Sequence, residues 1–210
     1  MENRLKSIVK HYIRRYQNSA VAESKCFQNI PLKQAIEKAA LAQDKDGKRF
    51  DHQRRIPKNV LCQSKERLLS RMADLQVVDS FETLHKLVKT TIDPIQGVGE
   101  LTVYDTAFRI GVNLTLKPKV VYLHAGTRQG ARYLQKAYPL DVLREFLDVH
   151  DMPKPLQQLK PSEIEDVLCI YKKCFLCRRK GCPLPERRCG KETFCNSGSS
   201  KSEGICRQNM

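Results

Sequence analysis

Apolar residues recur at helical spacing along most of the chain. Leu5, Ile8, Val9, Tyr12, Ile13 and Tyr16 form a 3.6-residue stripe over residues 3–17, with Lys10, Arg14 and Arg15 on or beside the polar face. The same reading predicts a helix from about Pro31 to Gln43, where Pro31 suits a first helical position, and another from Ser64 to Leu75. A fourth runs through Ser80–Lys89, with Asp79-Ser80 as its cap and Glu82 placed to complete a capping box from Asp79. Leu101, Tyr104, Ala107 and Phe108 stripe a helix from Glu100 to Ile110, which Gly111 is placed to stop. Further helices are expected at Arg128–Ala137 with Thr127 as cap, from Pro139 to about Val149, and beyond a capping box at Ser162-Glu163-Ile164-Glu165. Pro118–Leu123 reads as a short buried connection, and no alternating strand series or internal repeat is present. The expected fold is all-α, a multi-helix orthogonal bundle over residues 1–178. A basic, cysteine-rich tail at 179–210, partly disordered where Ser and Gly accumulate, follows it.

Between two of these helices lies Pro94-Ile95-Gln96-Gly97-Val98-Gly99-Glu100-Leu101-Thr102. Two glycines two apart permit backbone angles that other residues resist, and they leave peptide N–H groups bare. Those groups meet the N-terminus of the next helix, where unpaired donors and the helix dipole attract an anion. The natural anion for such a turn is a phosphate. A second candidate anion position is the stretch Tyr122–Arg128, in which Thr127, Arg128 and a helix start come together; the alternative is a local cap in which His124 only bonds nearby atoms.

Charge supports a polyanionic partner. The chain of 210 residues carries a formal charge of +15, which raises affinity for polyanions without bearing on fold. Residues 1–92 hold 19 Lys and Arg against 10 Asp and Glu, whereas residues 93–160 hold 9 against 7. A binding surface therefore has to combine the 97–99 turn with the N-terminal part of the chain. Lys48-Arg49-Phe50-Asp51-His52-Gln53-Arg54-Arg55, dense in cations, either lies along a phosphate backbone or is an exposed loop. No run approaches the 20 or so apolar residues needed to cross a bilayer, and the first residues lack a signal-peptide pattern. The expected compartment is the cytoplasm, with no membrane partner.

Helix, apolar-x-Gly-apolar-Gly, helix is the helix-hairpin-helix motif, and Ile95-Gln96-Gly97-Val98-Gly99 within 80–112 resembles it closely. The segment from about Ser80 to Leu134, a quarter of the chain, is similar to the central part of the endonuclease III-like DNA glycosylase superfamily. That resemblance implies an all-helical DNA-binding fold in which Gly97, Val98, Gly99, Glu100, Leu101 and Thr102 meet phosphate, joined by Thr127 and Arg128. It does not bring the family's chemistry with it. Leu101 stands where bifunctional members have Lys, and the position of the family's catalytic Asp falls on or next to Leu123. No Asp or Glu occurs between Asp105 and Asp141, and an oxocarbenium-like transition state needs a carboxylate or an amine nucleophile. Asp105, four residues before Arg109, reads as half of a helix ion pair.

Of nine cysteines, seven fall between 169 and 206, and reducing conditions argue against disulfides. Cys174, Cys177, Cys182 and Cys189 begin with a C-x2-C pair and suit either a tetrahedral zinc ion or an iron–sulfur cluster. The glycosylases that the central segment resembles carry a C-terminal four-cysteine cluster loop, but with different spacings; a set of reduced thiols is the alternative. The expected function is non-catalytic binding of double-stranded DNA through phosphates, without sequence specificity, in repair or genome maintenance. The alternatives are an atypical glycosylase or lyase using His124, Lys117 or Lys119, and a protein-interaction module whose hairpin is structural only.

Overall fold

A computed structural model of the protein describes residues 1–176, and these form an all-α, multi-helix bundle with one small antiparallel strand pair. The cysteine-rich tail, including Cys177, Cys182 and Cys189, lies outside the described residues. α1 (Glu2–Tyr12) continues through a π-helical segment (Ile13–Gln17) into α2 (Asn18–Lys25). α3 (Leu32–Ala40), α4 (Lys58–Ser70), α5 (Met72–Gln76), α6 (Phe81–Ile92) and α7 (Glu100–Asn113) follow. β1 (Val121–Tyr122), α8 (Ala125–Gln135), β2 (Phe146–Leu147), α9 (Pro161–Ile170) and α10 (Lys172–Leu176) complete the order.

The apolar stripes bury into two cores. One gathers Ile36, Leu68, Leu84, Val88, Ile92, Val103 and Ile110 from α3, α4, α6 and α7. The other joins the beginning of the chain to its end: Leu5, Ile8, Val9 and Tyr12 of α1 pack with Leu134, Ile164, Leu168 and Phe175 from α8, α9 and α10. α8 and α9 cross so closely that a Cβ on Gly130 would stand 2.1 Å from the carbonyl oxygen of Leu168. Only glycine fits that crossing.

Two of the expectations that require correction concern the stretch from 124 to 149. The predicted helix from Pro139 to Val149 does not form. Its apolar residues Leu140, Val142 and Leu147 are buried, but Phe146 and Leu147 pair as β2 with Tyr122 and Val121, so their peptide groups serve a ladder. The carbonyls of Val142 and Arg144 accept from Arg128 Nη1 at 2.8 and 2.7 Å, which a helix would not permit. The cap of α8 is also earlier than expected: His124 is the N-cap residue, and Thr127 lies within the first turn.

Candidate nucleic-acid interface

The approach to the 93–99 turn is held by side chains that the sequence pattern supplies. Ser80 caps α6, its Oγ accepting from the Thr83 N–H at 3.2 Å, and the apolar face of the helix ends in buried Ile92. Ile95, 4% exposed, plugs the turn into the core that α6 and α7 share. The Ile95 N–H donates to Ile92 O and the Val98 N–H to Ile95 O, each at 3.0 Å, so the chain tightens as it reverses. Gly97 completes the reversal with φ +98°, a left-handed value that disfavours side chains. A Cβ there would also approach Val60 Cγ2 to 3.3 Å. Gly99, by contrast, is the extended N-cap of α7, and a Cβ added there meets nothing within 4 Å.

Gln96, Gly97, Gly99 and Glu100 are exposed, while Val98 and Leu101 are half-buried and Thr102 is buried. The turn thus anchors its apolar residue inward and leaves its glycine backbone outward, at the start of a 14-residue helix. The N–H groups in that first turn have no intrahelical acceptor and carry the positive end of the helix dipole.

Cation-bearing segments from elsewhere in the chain contact this turn and α7. Val60, in the first turn of α4, touches the Gly97 position, and Lys58 and Asn59 just before it are exposed. The segment 48–55 is fastened to α7 by His52, whose Nε2 lies 2.8 Å from Asp105 Oδ2, and by Gln53, whose Oε1 accepts from Arg109 Nη1 at 2.7 Å. The Arg109 guanidinium also lies over the Phe50 ring, 4.2 Å from its centroid. Lys48, Arg54 and Arg55 remain exposed on the fastened segment. Burial pushes the Asp105 carboxyl up, but Arg109 and His52 outweigh it and hold it below the ordinary range. Asp105 is therefore more than the expected helix ion pair; it is the post to which the cationic segment is tied.

Thr127 and Arg128 are not part of an exposed anion site. Thr127 is fully buried, and its hydroxyl donates to Glu165 Oε1 at 3.0 Å. His124, 2% exposed, meets the same carboxylate oxygen through Nε2. Arg128 spends its guanidinium on the carbonyls of Val142, Arg144 and Leu123 and lies 3.6 Å from Glu100 at the start of α7. It is a strut between the turn region and the 140–145 loop. Glu165 was hidden by its place in an expected capping box. Glu163 fills that role instead, its Oε2 accepting from the Lys160 N–H at 2.9 Å, and so Glu165 is released to pair with His124.

No family model matches the chain, nor does any curated protein or solved structure.

A cavity of about 520 Å³ opens between α7, the α1–α2 junction and the N-terminus of α9. Phe27, Phe50, Tyr104 and Phe108 supply aromatic walls, and Asp105, Glu163, Glu165 and Asp166 supply carboxylates. Asp166 accepts from the Tyr12 hydroxyl at 2.7 Å, and burial together with that carboxylate pushes the phenol far above its ordinary range. The carboxylates absent between Asp105 and Asp141 in sequence thus arrive from a helix some 40 residues later. A smaller recess of about 180 Å³, lined by His85, Lys89, Glu100, Tyr122 and Glu145 among others, lies behind the turn. Cys174, the described member of the expected metal set, is buried, with its carbonyl accepting from Arg4 Nε at 2.6 Å. Among the described residues no group of three or more His, Cys, Asp or Glu is arranged to hold a metal, and no helix is long and apolar enough to cross a membrane.

Proposed function

We propose that α6, the 93–99 turn and α7 act as a helix-hairpin-helix that binds double-stranded DNA through its phosphates, without base readout and without catalysis. The observation that carries this reading is the pairing of an outward glycine backbone at Gly97 and Gly99 with an exposed cationic segment, tied to the same helix through His52 and Asp105. Backbone N–H groups position a phosphate; Lys58, Arg55 and their neighbours add the sequence-independent electrostatic attraction. Glu100 stands beside the turn as a local repulsion, which Arg128 moderates from 3.6 Å. Such a surface binds duplexes of different sequence alike. Its affinity falls linearly with salt on logarithmic axes, with a slope of about −0.9 per phosphate neutralised. A titration of fluorescent duplexes of unrelated sequence, repeated at several salt concentrations, tests this: strong sequence dependence, or no binding at low salt, contradicts it.

A second reading is favoured by the 520 Å³ cavity, whose wall holds Asp105 and Glu165 together with the aromatic rings of Phe27, Phe50, Tyr104 and Phe108. A carboxylate in a half-apolar cleft is the group that hydrolysis at a modified nucleotide would require. This reading makes the protein an enzyme on damaged or modified nucleic acid, with its acid relocated to α7 or α9. Turnover on abasic or modified-base duplexes, lost in a Glu165→Gln variant whose melting temperature shows it folded, distinguishes it from the first.

A further inference from the structure

Gly126, in the first turn of α8, faces the C-terminal end of α9. A Cβ built there would stand 2.9 Å from Cys169 Sγ, 3.6 Å from His124 Cε1 and 3.7 Å from Lys172 Nζ. A thiol, an imidazole and an ammonium group thus converge on a position where α8 carries no side chain. Cys169 is half-buried and Ala125, at the start of α8, is exposed, so the sulfur lies near the surface. His124 is 2% exposed, and its ring is bonded at one nitrogen only. Nε2 meets the Glu165 carboxylate, and the Thr127 hydroxyl hydrogen is already donated to that same oxygen, so the ring proton belongs on Nε2. Nδ1 keeps its lone pair, buried and with no hydrogen-bond partner among the described residues. An unsatisfied buried acceptor is costly, and a proton taken from the neighbouring thiol removes that cost.

Glu165, His124 and Cys169 stand in the order carboxylate, imidazole, thiol that activates a cysteine nucleophile. The thiol and Nδ1 are neighbours across the Gly126 position without being hydrogen-bonded, as is common before a ligand binds. A thiolate here faces the Lys172 ammonium and the first-turn N–H groups of α8, whose dipole favours an anion. The carbonyl end of α9, which carries Cys169, favours the neutral thiol, so activation rests on Lys172, α8 and His124 together. We propose that Cys169 is a reactive thiol that a small hydroperoxide oxidises to a sulfenic acid, with His124 moving the proton. The Cys169 S–H gives its proton to His124 Nδ1, and the thiolate attacks the hydroxyl oxygen of the peroxide. The S–O bond forms as the O–O bond breaks; sulfur is oxidised by two electrons and the peroxide is reduced. The departing oxygen takes the proton from His124 Nδ1 and leaves as water or an alcohol. A half-buried sulfur favours a reagent of a few atoms over a bulky disulfide. The site makes no use of the DNA grip and stands or falls independently of it.

The test treats the reduced, full-length protein with hydrogen peroxide in the presence of dimedone, which traps sulfenic acids, and quantifies adducts by mass spectrometry of a tryptic digest. Cys169 lies in the fragment 145–172, Cys26 in 26–33 and Cys62 in 59–65, each with no second cysteine. Cys26 and Cys62, also half-buried, therefore serve as internal references. The wild-type protein gains adduct at Cys169 at least about tenfold faster than at either reference. His124→Asn removes the base and brings the Cys169 rate within about threefold of the references, and Lys172→Met lowers it by at least about threefold. Unfolding exposes thiols and speeds labelling, so a fall at Cys169 with Cys26 and Cys62 unchanged is not a folding defect. Equal rates at the three cysteines in the wild-type protein, or a Cys169 rate unaffected by His124→Asn, overturn the proposal. If His124→Asn instead raises labelling at all three, the mark of unfolding, Lys172→Met decides: an unchanged Cys169 rate there overturns the proposal.

Discussion

Gly97 and Gly99 are chemically identical and two residues apart, yet they do different work. At Gly97 the left-handed φ and the nearness of Val60 make glycine a requirement of the fold. Gly97→Ala should cost about 1–2 kcal/mol, read as a shifted urea midpoint at unchanged slope. At Gly99 the backbone is extended and the added side chain points into open space, so nothing in the fold demands glycine there. The sequence pattern reads both as turn glycines; the difference lies in Val60, contributed by another helix. Asp105 is a similar case. Its spacing to Arg109 was legible as an ion pair, but its 53-residue reach to His52 was not. Asp105→Asn removes the carboxylate that lies 3.6 Å from the nearly buried Arg109 guanidinium and should destabilise the protein by about 2–4 kcal/mol. It should also raise protease cleavage within residues 48–55, since the His52 contact is weakened. His85 provides a pH handle. Burial among Phe81 and Tyr122 lowers its affinity for a proton, and nearby Lys89 adds to this while Glu145 opposes it. The folded state therefore binds this proton less readily than the unfolded chain. Its contribution to stability is present above about pH 6.5 and is lost as pH falls towards the lowered folded value. His85→Phe should reduce the drop in melting temperature between pH 7.5 and 5.5.

The helices with long, uninterrupted stripes follow the sequence pattern: α6 and α7 begin and end within a few residues of expectation. The stretch from Pro139 to Val149 does not, although its apolar residues are buried as a helix would have them. What decided its conformation is Arg128, eleven residues upstream of Pro139, which claims two of its carbonyls, and β1, which claims its end. Arg128→Met keeps much of the aliphatic stem but leaves those carbonyls without a donor. The expected outcome is a loss of about 1–3 kcal/mol and faster hydrogen exchange at Leu123, whose N–H bonds the loop carbonyl of Glu145. Gly130 sets the other element-scale constraint. Gly130→Ala forces α8 and α9 apart and should lower stability by at least 1–3 kcal/mol in a chemical denaturation curve.

At the scale of the whole molecule, the chain closes on itself. α1 packs with α9 and α10, and His11 Nδ1 meets the Tyr171 hydroxyl at 2.6 Å across 160 residues. Sequence periodicity identifies such faces as apolar but carries nothing about which face meets which. The cavity beside α7 and the His124–Glu165 pair were therefore illegible, and the argument from a carboxylate-free stretch held only along the chain, not in space. Segment 48–55 is fastened to α7 by His52 and Gln53, and Val60 of α4 meets Gly97, which gives the cationic surplus of the N-terminal half a place near the proposed grip. The most direct test of that grip is Gly99→Val, titrated against a matched duplex at two salt concentrations and melted in parallel. The account predicts a melting temperature within about 2 °C of wild type and a loss of at least about tenfold in affinity at both salts, because the new side chain occupies the space a phosphate would enter. An intact fold with unchanged affinity would contradict it.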